Sequence, residues 1–160
     1  MSKMAKGPFM EFMRGSLAQS AANVFTEREV QTPTSKTETM AMLIHQIELR
    51  PARLIDSTPT AEDHIAVQIA KAPQDSTDDI DNPDIIAYYM ARTHLDAVFN
   101  QMVEKGYQEV KFDPPILYPK STIYAGINTI GFAAPMTLNF RIGYTLEKVS
   151  REDFIAALVD

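Results

Sequence analysis

The segment from Thr137 to Lys148 alternates between apolar and polar side chains, and this pattern constrains the fold more than any other part of the sequence. The apolar set is Leu138, Phe140, Ile142, Tyr144 and Leu146, and the other set is Thr137, Asn139, Arg141, Gly143, Thr145 and Glu147. Successive side chains of a strand point to opposite faces, whereas apolar residues on a helix recur every three or four positions. The segment therefore predicts a strand with one face in a core and the other against solvent or a partner.

Similar patterns predict several further strands. They cover residues 40–49, 64–70, 85–92, 107–112, 116–118 and 122–127. In the first, Ala41, Leu43, His45, Ile47 and Leu49 share one side, and in the second Ile65, Val67 and Ile69 point inward. A helix is the alternative for residues 85–92, because Pro83 precedes them and proline is favoured at the first helical position. Strands of this length separated by short turns indicate an antiparallel sandwich or barrel.

Two short helices accompany these strands in the prediction. The first covers residues 94–105, where apolar residues are spaced three and four apart, and it ends at Gly106. The second covers residues 151–159 after Ser150, a favourable N-cap, with Phe154, Ile155 and Leu158 on one side.

Residues 1–36 differ in composition from the rest and predict an N-terminal arm, with one domain at 37–160. Methionines alternate there with basic residues and glycines, and a polar stretch follows at 31–36. The alternative is that Phe9, Phe12, Met13 and Leu17 pack on their own domain as a short helix. A cleaved secretory signal is not expected, because Glu11 and Arg14 interrupt the apolar segment.

Composition excludes several classes of protein. The chain has 160 residues, of which 45% are hydrophobic and 22% charged, and these values fit one globular domain. The formal net charge of -6 argues against a protein that mainly coats nucleic acid. The chain has no cysteine, which excludes disulfides and thiolate metal sites and suits a reducing compartment. No apolar run reaches the roughly 18 residues needed to cross a bilayer.

The residues that could carry chemistry do not form a recognisable catalytic motif. His45, His64 and His94 lack the His-x-His spacing of a cupin metal site. The acidic segment 75–84 resembles a calcium loop in composition but lacks the central glycine and closing glutamate of an EF-hand, so solvated charge is the default interpretation. Nucleophile-elbow and phosphate-loop motifs are also missing. We expect no enzymatic activity, no metal and no cofactor.

The segments 115–127 (PILYPKSTIYAGI) and 136–145 (MTLNFRIGYT) resemble the closing strands of viral single jelly-roll capsid proteins. The resemblance covers the last third of the chain, and the earlier strands fit by number and spacing. It implies two four-stranded sheets packed face to face, an N-terminal arm between neighbours, and assembly into a closed shell. The two predicted helices depart from the simplest form of this fold.

The fold expected from sequence is therefore a mainly β antiparallel sandwich or jelly roll, with one short inserted helix and a C-terminal helix. The expected function is that of a self-assembling capsid or coat subunit, made in the host cytoplasm and located in the virion. A soluble receptor- or glycan-binding module that forms a small oligomer is the alternative, because fold does not fix function.

The expected partners are copies of the chain, with other virion proteins and nucleic acid held by the arm as open alternatives. The subunit contacts are expected at the basic and aromatic residues of the arm and on the polar side of the last strand. These residues are Lys3, Lys6, Phe9, Phe12, Arg14, Asn139 and Arg141.

Overall fold

The computed structural model describes residues 9–52, 62–77, 81–94, 102–103 and 108–160, which form nine strands and one helix. The elements are β1 (Glu11–Ala18), β2 (Thr26–Gln31), β3 (Met40–Pro51), β4 (Glu62–Ala70), β5 (Ile85–His94), β6 (Met102–Val103), β7 (Gln108–Tyr118), β8 (Thr122–Ile130), β9 (Thr137–Lys148) and α1 (Arg151–Val159).

The strands form two antiparallel sheets. The first sheet has the order β1-β9-β3-β7, and the second has the order β2-β8-β4-β5, extended by the short β6. All of the strand pairs within them are antiparallel. The predicted mainly β architecture with a C-terminal helix is confirmed.

One hydrophobic core lies between the inner faces of the two sheets. It includes Leu17, Met42, Ile47, Leu138, Phe140 and Ile142 from the first sheet, and Ile65, Val67, Ile69, Ile123 and Ile127 from the second. The predicted inward positions of β4 are thus confirmed, as are those of β9 through Tyr144. Leu146 differs, since it lies at the end of its strand and is exposed.

A β-bulge in β3 changes which of its side chains face the core. The register against β9 shifts between Ile44 and Gln46, so His45 is the extra residue. Ile44 is buried before the bulge and Ile47 after it, although these two residues have opposite parity. The residues grouped on one side from Ala41 to Leu49 therefore do not all share that side, because one extra residue exchanges the two faces of the strand.

β7 is one strand, whereas the sequence predicts two segments separated by Pro114 and Pro115. It lies at the edge of the first sheet and pairs only with β3. Its register passes from Lys111, opposite Gln46, to Ile116, opposite Ile44. An edge strand tolerates proline within such an irregularity, because one side of the strand has no ladder to complete.

The predicted N-terminal arm differs from the structure over residues 11–31. β1 pairs with β9 and β2 pairs with β8, so both strands are integral to the sheets. Met13 and Leu17 pack toward the core as predicted by the alternative, but in a strand and not in a helix. Their spacing of four residues is compatible with one face of either element, which explains the error. Residues 1–8 lie outside the described residues.

The C-terminal helix is confirmed. The Ser150 Oγ accepts a hydrogen bond from the Asp153 N–H at 3.1 Å, and Phe154 is buried, whereas Ile155 is largely exposed. The helix predicted at 94–105 is replaced by strand at His94 and at Met102–Val103, and its other residues lie outside the described ones. The helical alternative for residues 85–92 is wrong, because β5 occupies them.

Candidate interface on the outer face of the first sheet

Four of the residues predicted to contact other subunits lie together on the outer face of the first sheet. Phe12 and Arg14 belong to β1, and Asn139 and Arg141 belong to β9. Arg14 lies directly opposite Arg141 in the register of the two strands. On the inner face, the next pair along the two strands is Gly15 and Phe140. The Phe140 ring packs over the Cα of Gly15, where any larger residue would clash.

The other three predicted residues are placed differently. Phe9 precedes β1 and is 77% exposed, which makes it one of the most exposed apolar side chains of the described chain. Lys3 and Lys6 lie outside the described residues, so the structure does not bring them to this face.

Arg141 is held in a fixed orientation by two neighbours. Its Nη2 lies 2.7 Å from the Oε2 of Glu48, and its guanidinium carbon lies 4.6 Å from the centre of the Phe12 ring. Glu48 also receives an ion pair from Arg50 at 3.1 Å. Charge-assisted hydrogen bonds combined with stacking on an aromatic ring restrict a guanidinium more than either contact alone.

Glu48 and Arg50 complete the group, and sequence reasoning did not select them. Their alternation with Ile47 and Leu49 could have placed them on an outer face. Their proximity to Arg141 depends on the register of β3 against β9, which follows from the bulge at His45.

These side chains line a groove of about 490 Å³ on the outer face, which we call the arginine groove. Its lining consists of Arg14, Gly15, Glu48, Arg50, Asn139, Phe140 and Arg141. Three arginines face one glutamate there, so the groove has an excess of positive charge in a chain whose net charge is -6. The arginine groove is therefore suited to an anionic group.

Part of this positive charge has no partner within the described chain. The Arg14 side chain makes no hydrogen bond or ion pair with the residues that the structure describes, and Arg141 Nε is buried without an acceptor. Like charges directly opposite each other on neighbouring strands are unfavourable, as Arg14 and Arg141 are here. An external carboxylate or phosphate between them would relieve that repulsion.

Toward the other end of β9, side chains cover the outer face of the first sheet. Met10, Phe12 and Gln46 pack over Gly143, where an added Cβ would lie 2.8 Å from the Gln46 side chain. His45 Nε2 forms a hydrogen bond of 2.9 Å with Thr145 Oγ1. His45 is thus a hydrogen-bonded surface residue, and no group of metal-binding side chains forms among the described residues.

A tyrosine and a glutamate join β9 to the start of β1. The Tyr144 hydroxyl donates a hydrogen bond of 3.0 Å to Glu11 Oε2. Burial, and then the bond and negative charge of Glu11, raise the pKa of Tyr144. The tyrosine is therefore a neutral donor that fixes the edge strand β1 to β9.

The second sheet differs because the connection between β4 and β5, residues 71–84, covers part of its outer face. Gln68 donates from Nε2 to the Ser76 carbonyl at 3.1 Å, and the Gln74 N–H donates to Glu27 Oε2 at 2.9 Å. Burial raises the pKa of Glu27, and the hydrogen bond from Gln74 acts in the opposite direction. This β4–β5 connection is thus anchored on both β4 and β2.

The aspartates of the β4–β5 connection do not form a described metal site. Asp75 and Asp81 are exposed, Asp84 is half-buried, and Asp78 and Asp79 lie outside the described residues. Solvated charge therefore remains the interpretation of residues 75–84.

Among the described residues, no helix is both long and apolar enough to span a bilayer. The sequence matches no protein-family model and no curated protein.

Proposed function

We propose that this protein is a self-assembling capsid or coat subunit with a jelly-roll fold, made in the host cytoplasm and located in the virion. Its principal partners are copies of itself, and the contact surface includes the outer face of the first sheet. The N-terminal contribution to that surface comes from Phe9 and from β1, and not from a free arm over residues 11–31.

The order of strand pairing is the observation that carries this proposal. β1 pairs with β9, β2 with β8, β3 with β7 and β4 with β5. These pairs are nested, as in one long hairpin folded over on itself into two sheets. Such nesting is typical of a jelly roll, an architecture that is frequent in viral capsids.

The distribution of exposed apolar side chains also supports self-assembly. Phe9 and Met10 precede the first strand, and Ile155 and Val159 project from the C-terminal helix, all of them substantially exposed. Apolar side chains left in water beside the first strand and on the C-terminal helix are favourable to bury between subunits.

Light scattering after size-exclusion chromatography, followed by electron microscopy, tests the proposal on the full chain. We expect closed particles, or oligomers larger than a trimer, whose fraction rises with protein concentration. A monomer at every concentration would contradict the proposal. A discrete dimer or trimer with saturable binding to a glycan array would instead support the receptor- or glycan-binding alternative.

A pair of variants shows whether the apolar residue Phe9 takes part in contacts between subunits. Phe9→Ser removes an exposed ring before β1, and Val24→Ser removes an exposed apolar side chain elsewhere on the surface. We expect Phe9→Ser to raise the concentration at half-assembly about tenfold, and Val24→Ser to leave it unchanged. Equal effects of the two variants would remove Phe9 from the contact surface.

A further inference from the structure

The arginine groove and the β4–β5 connection have opposite charge. The groove contains three arginines and one glutamate. The sequence from Asp75 to Asp84 contains five aspartates and neither lysine nor arginine, and Asp75 and Asp81 are exposed. The chain therefore carries two surfaces that are complementary in charge.

The two surfaces belong to different sheets, and the arginine groove lies toward the end of the sandwich where β1, β3 and β8 finish. Gln19, just after β1, donates from Nε2 to Thr129 Oγ1 at 3.1 Å, which places the ends of β1 and β8 together. The Ala52 N–H binds the Thr137 carbonyl, so the start of β9 and the end of β3 lie at that same end. Arg50 and Asn139, which line the arginine groove, lie near this end of the sandwich.

The acidic connection leaves from the other end. Thr129 pairs with Ile65 near the start of β4, whereas Ala70, the last residue of β4, pairs with Tyr124 near the start of β8. The connection begins directly after Ala70 and is tied down by Gln68 and Glu27. It then folds over the outer face of the second sheet, where Thr77 lies beside His64 and Ile130. The core between the two sheets therefore separates it from the arginine groove of its own chain.

We infer that the arginine groove binds the exposed Asp75 and Asp81 of the β4–β5 connection of a second copy of this chain. The contact is heterologous, since two different surfaces meet, and such contacts propagate into rings or larger assemblies. A carboxylate placed between Arg14 and Arg141 accepts charge-assisted hydrogen bonds and cancels the repulsion between the two guanidinium groups. This inference rests on the proposed self-assembly and names the contact that drives it.

Aspartates of a neighbour are favoured over nucleic acid as the anion in this groove. The excess positive charge is small, and phosphate binding depends on the number of cations that displace counterions. The net charge of -6 also repels a polyanion as a whole. A short acidic segment on a second copy supplies local negative charge without a long polyanion.

The experiment compares charge reversals in the full chain by light scattering. Arg14→Glu reverses an exposed cation whose side chain has no hydrogen bond or ion pair within the described chain. Lys148→Glu is the matched control at the exposed far end of β9. Asp75→Lys combined with Asp81→Lys reverses the two exposed aspartates of the acidic side. Thermal melts of each variant check that the chain remains folded.

We expect Arg14→Glu alone, and the two aspartate substitutions alone, each to raise the concentration at half-assembly about tenfold or more. Lys148→Glu should leave it within about twofold. The protein carrying all three reversals should recover part of the lost assembly, because the carboxylate introduced at position 14 can pair with an introduced lysine. Raising the salt concentration should weaken wild-type assembly through screening.

The outcomes separate this inference from the proposed function. If wild-type protein does not assemble, the proposed function fails. If it assembles and Arg14→Glu assembles equally well, or if the triple reversal does not recover, the inference is overturned and the proposed function stands. An effect of Arg14→Glu seen only when a single-stranded oligonucleotide is added would assign the groove to phosphate and also overturn the inference.

Discussion

The outer faces of the two sheets are built from the same alternating pattern but end in different environments. On the second sheet, the β4–β5 connection covers Gln68, which is 1% exposed. On the first sheet, the corresponding positions of β1 and β9 stay open and form the arginine groove. An alternating strand therefore specifies which side chains leave the core, while the connections determine whether those side chains reach water.

The covered face contains polar atoms that are not fully satisfied. Gln68 uses its Nε2 as a donor, but its Oε1 is buried and has no partner within the described chain, and the same holds for Thr77 Oγ1. Buried polar atoms without partners cost stability, whereas exposed ones are solvated. The open face has one such atom, Arg141 Nε, but the Arg14 side chain beside it is exposed and available for binding.

Introducing a charge at matched glutamines gives the largest expected contrast between the two faces. Gln68→Glu places a carboxylate under the β4–β5 connection and should lower the free energy of unfolding at pH 7 by about 3 kcal/mol. Gln46→Glu, on the outer face of the first sheet, should change it by less than about 0.5 kcal/mol. Urea denaturation of the two variants measures the difference.

The pH dependence of the stability of Gln68→Glu tests whether the buried charge causes the loss. Burial would raise the pKa of the new carboxyl above its unfolded value, so the folded state would favour the protonated form. The destabilisation should be absent below the unfolded glutamate pKa of about 4.3 and should grow as the pH rises above it. A loss that does not depend on pH would point to a steric effect and contradict this account.

Removing the carboxylate of the arginine groove should have the next largest effect. Glu48 is 16% exposed and holds both Arg50 and Arg141, so Glu48→Ala should lower the free energy of unfolding by about 2 kcal/mol. Glu109, whose ion pair with Lys111 spans 3.9 Å on the same sheet, is the control, and its replacement by alanine should cost less than about 0.5 kcal/mol. Similar losses in thermal or urea denaturation would show that the groove is not a cooperative cluster.

The smallest expected effect concerns the anchor of the β4–β5 connection. The pKa of Glu27 is raised by burial, so its protonated form stabilises the fold at low pH, and this contribution is lost as the pH rises through the raised value. Glu27→Gln keeps an acceptor for the Gln74 N–H and removes the buried charge. Its melting temperature at pH 7 should equal or slightly exceed that of the wild type, and the difference should disappear near pH 4.

Glu29→Gln is the matched control, because it removes an exposed carboxylate two residues further along β2. A clear loss of stability in Glu27→Gln at pH 7 would show that the ionised carboxylate, and not merely an acceptor, holds the connection in place.

The sequence by itself determined most of the strands. The alternation in β4 and β9 depends on the two-residue repeat of a strand, which is a local property, and so Ile65 and Ile142 could be assigned to the core. The capped helix α1 was also local, because Ser150 lies directly before it. Arg141 was recognised as an outward residue for the same reason.

Only the tertiary structure decided where β1 and β2 belong and what surrounds Arg141. The bulge at His45, the pairing of Arg14 with Arg141 and the meeting of Arg141 with Glu48 all depend on registers between strands distant in sequence. Local propensity does not encode such registers, because they are selected by the packing of the whole core and by the lengths of the connections. The sequence therefore determined the alternating faces, and the tertiary structure decided that one face would be covered and the other would carry the arginine groove.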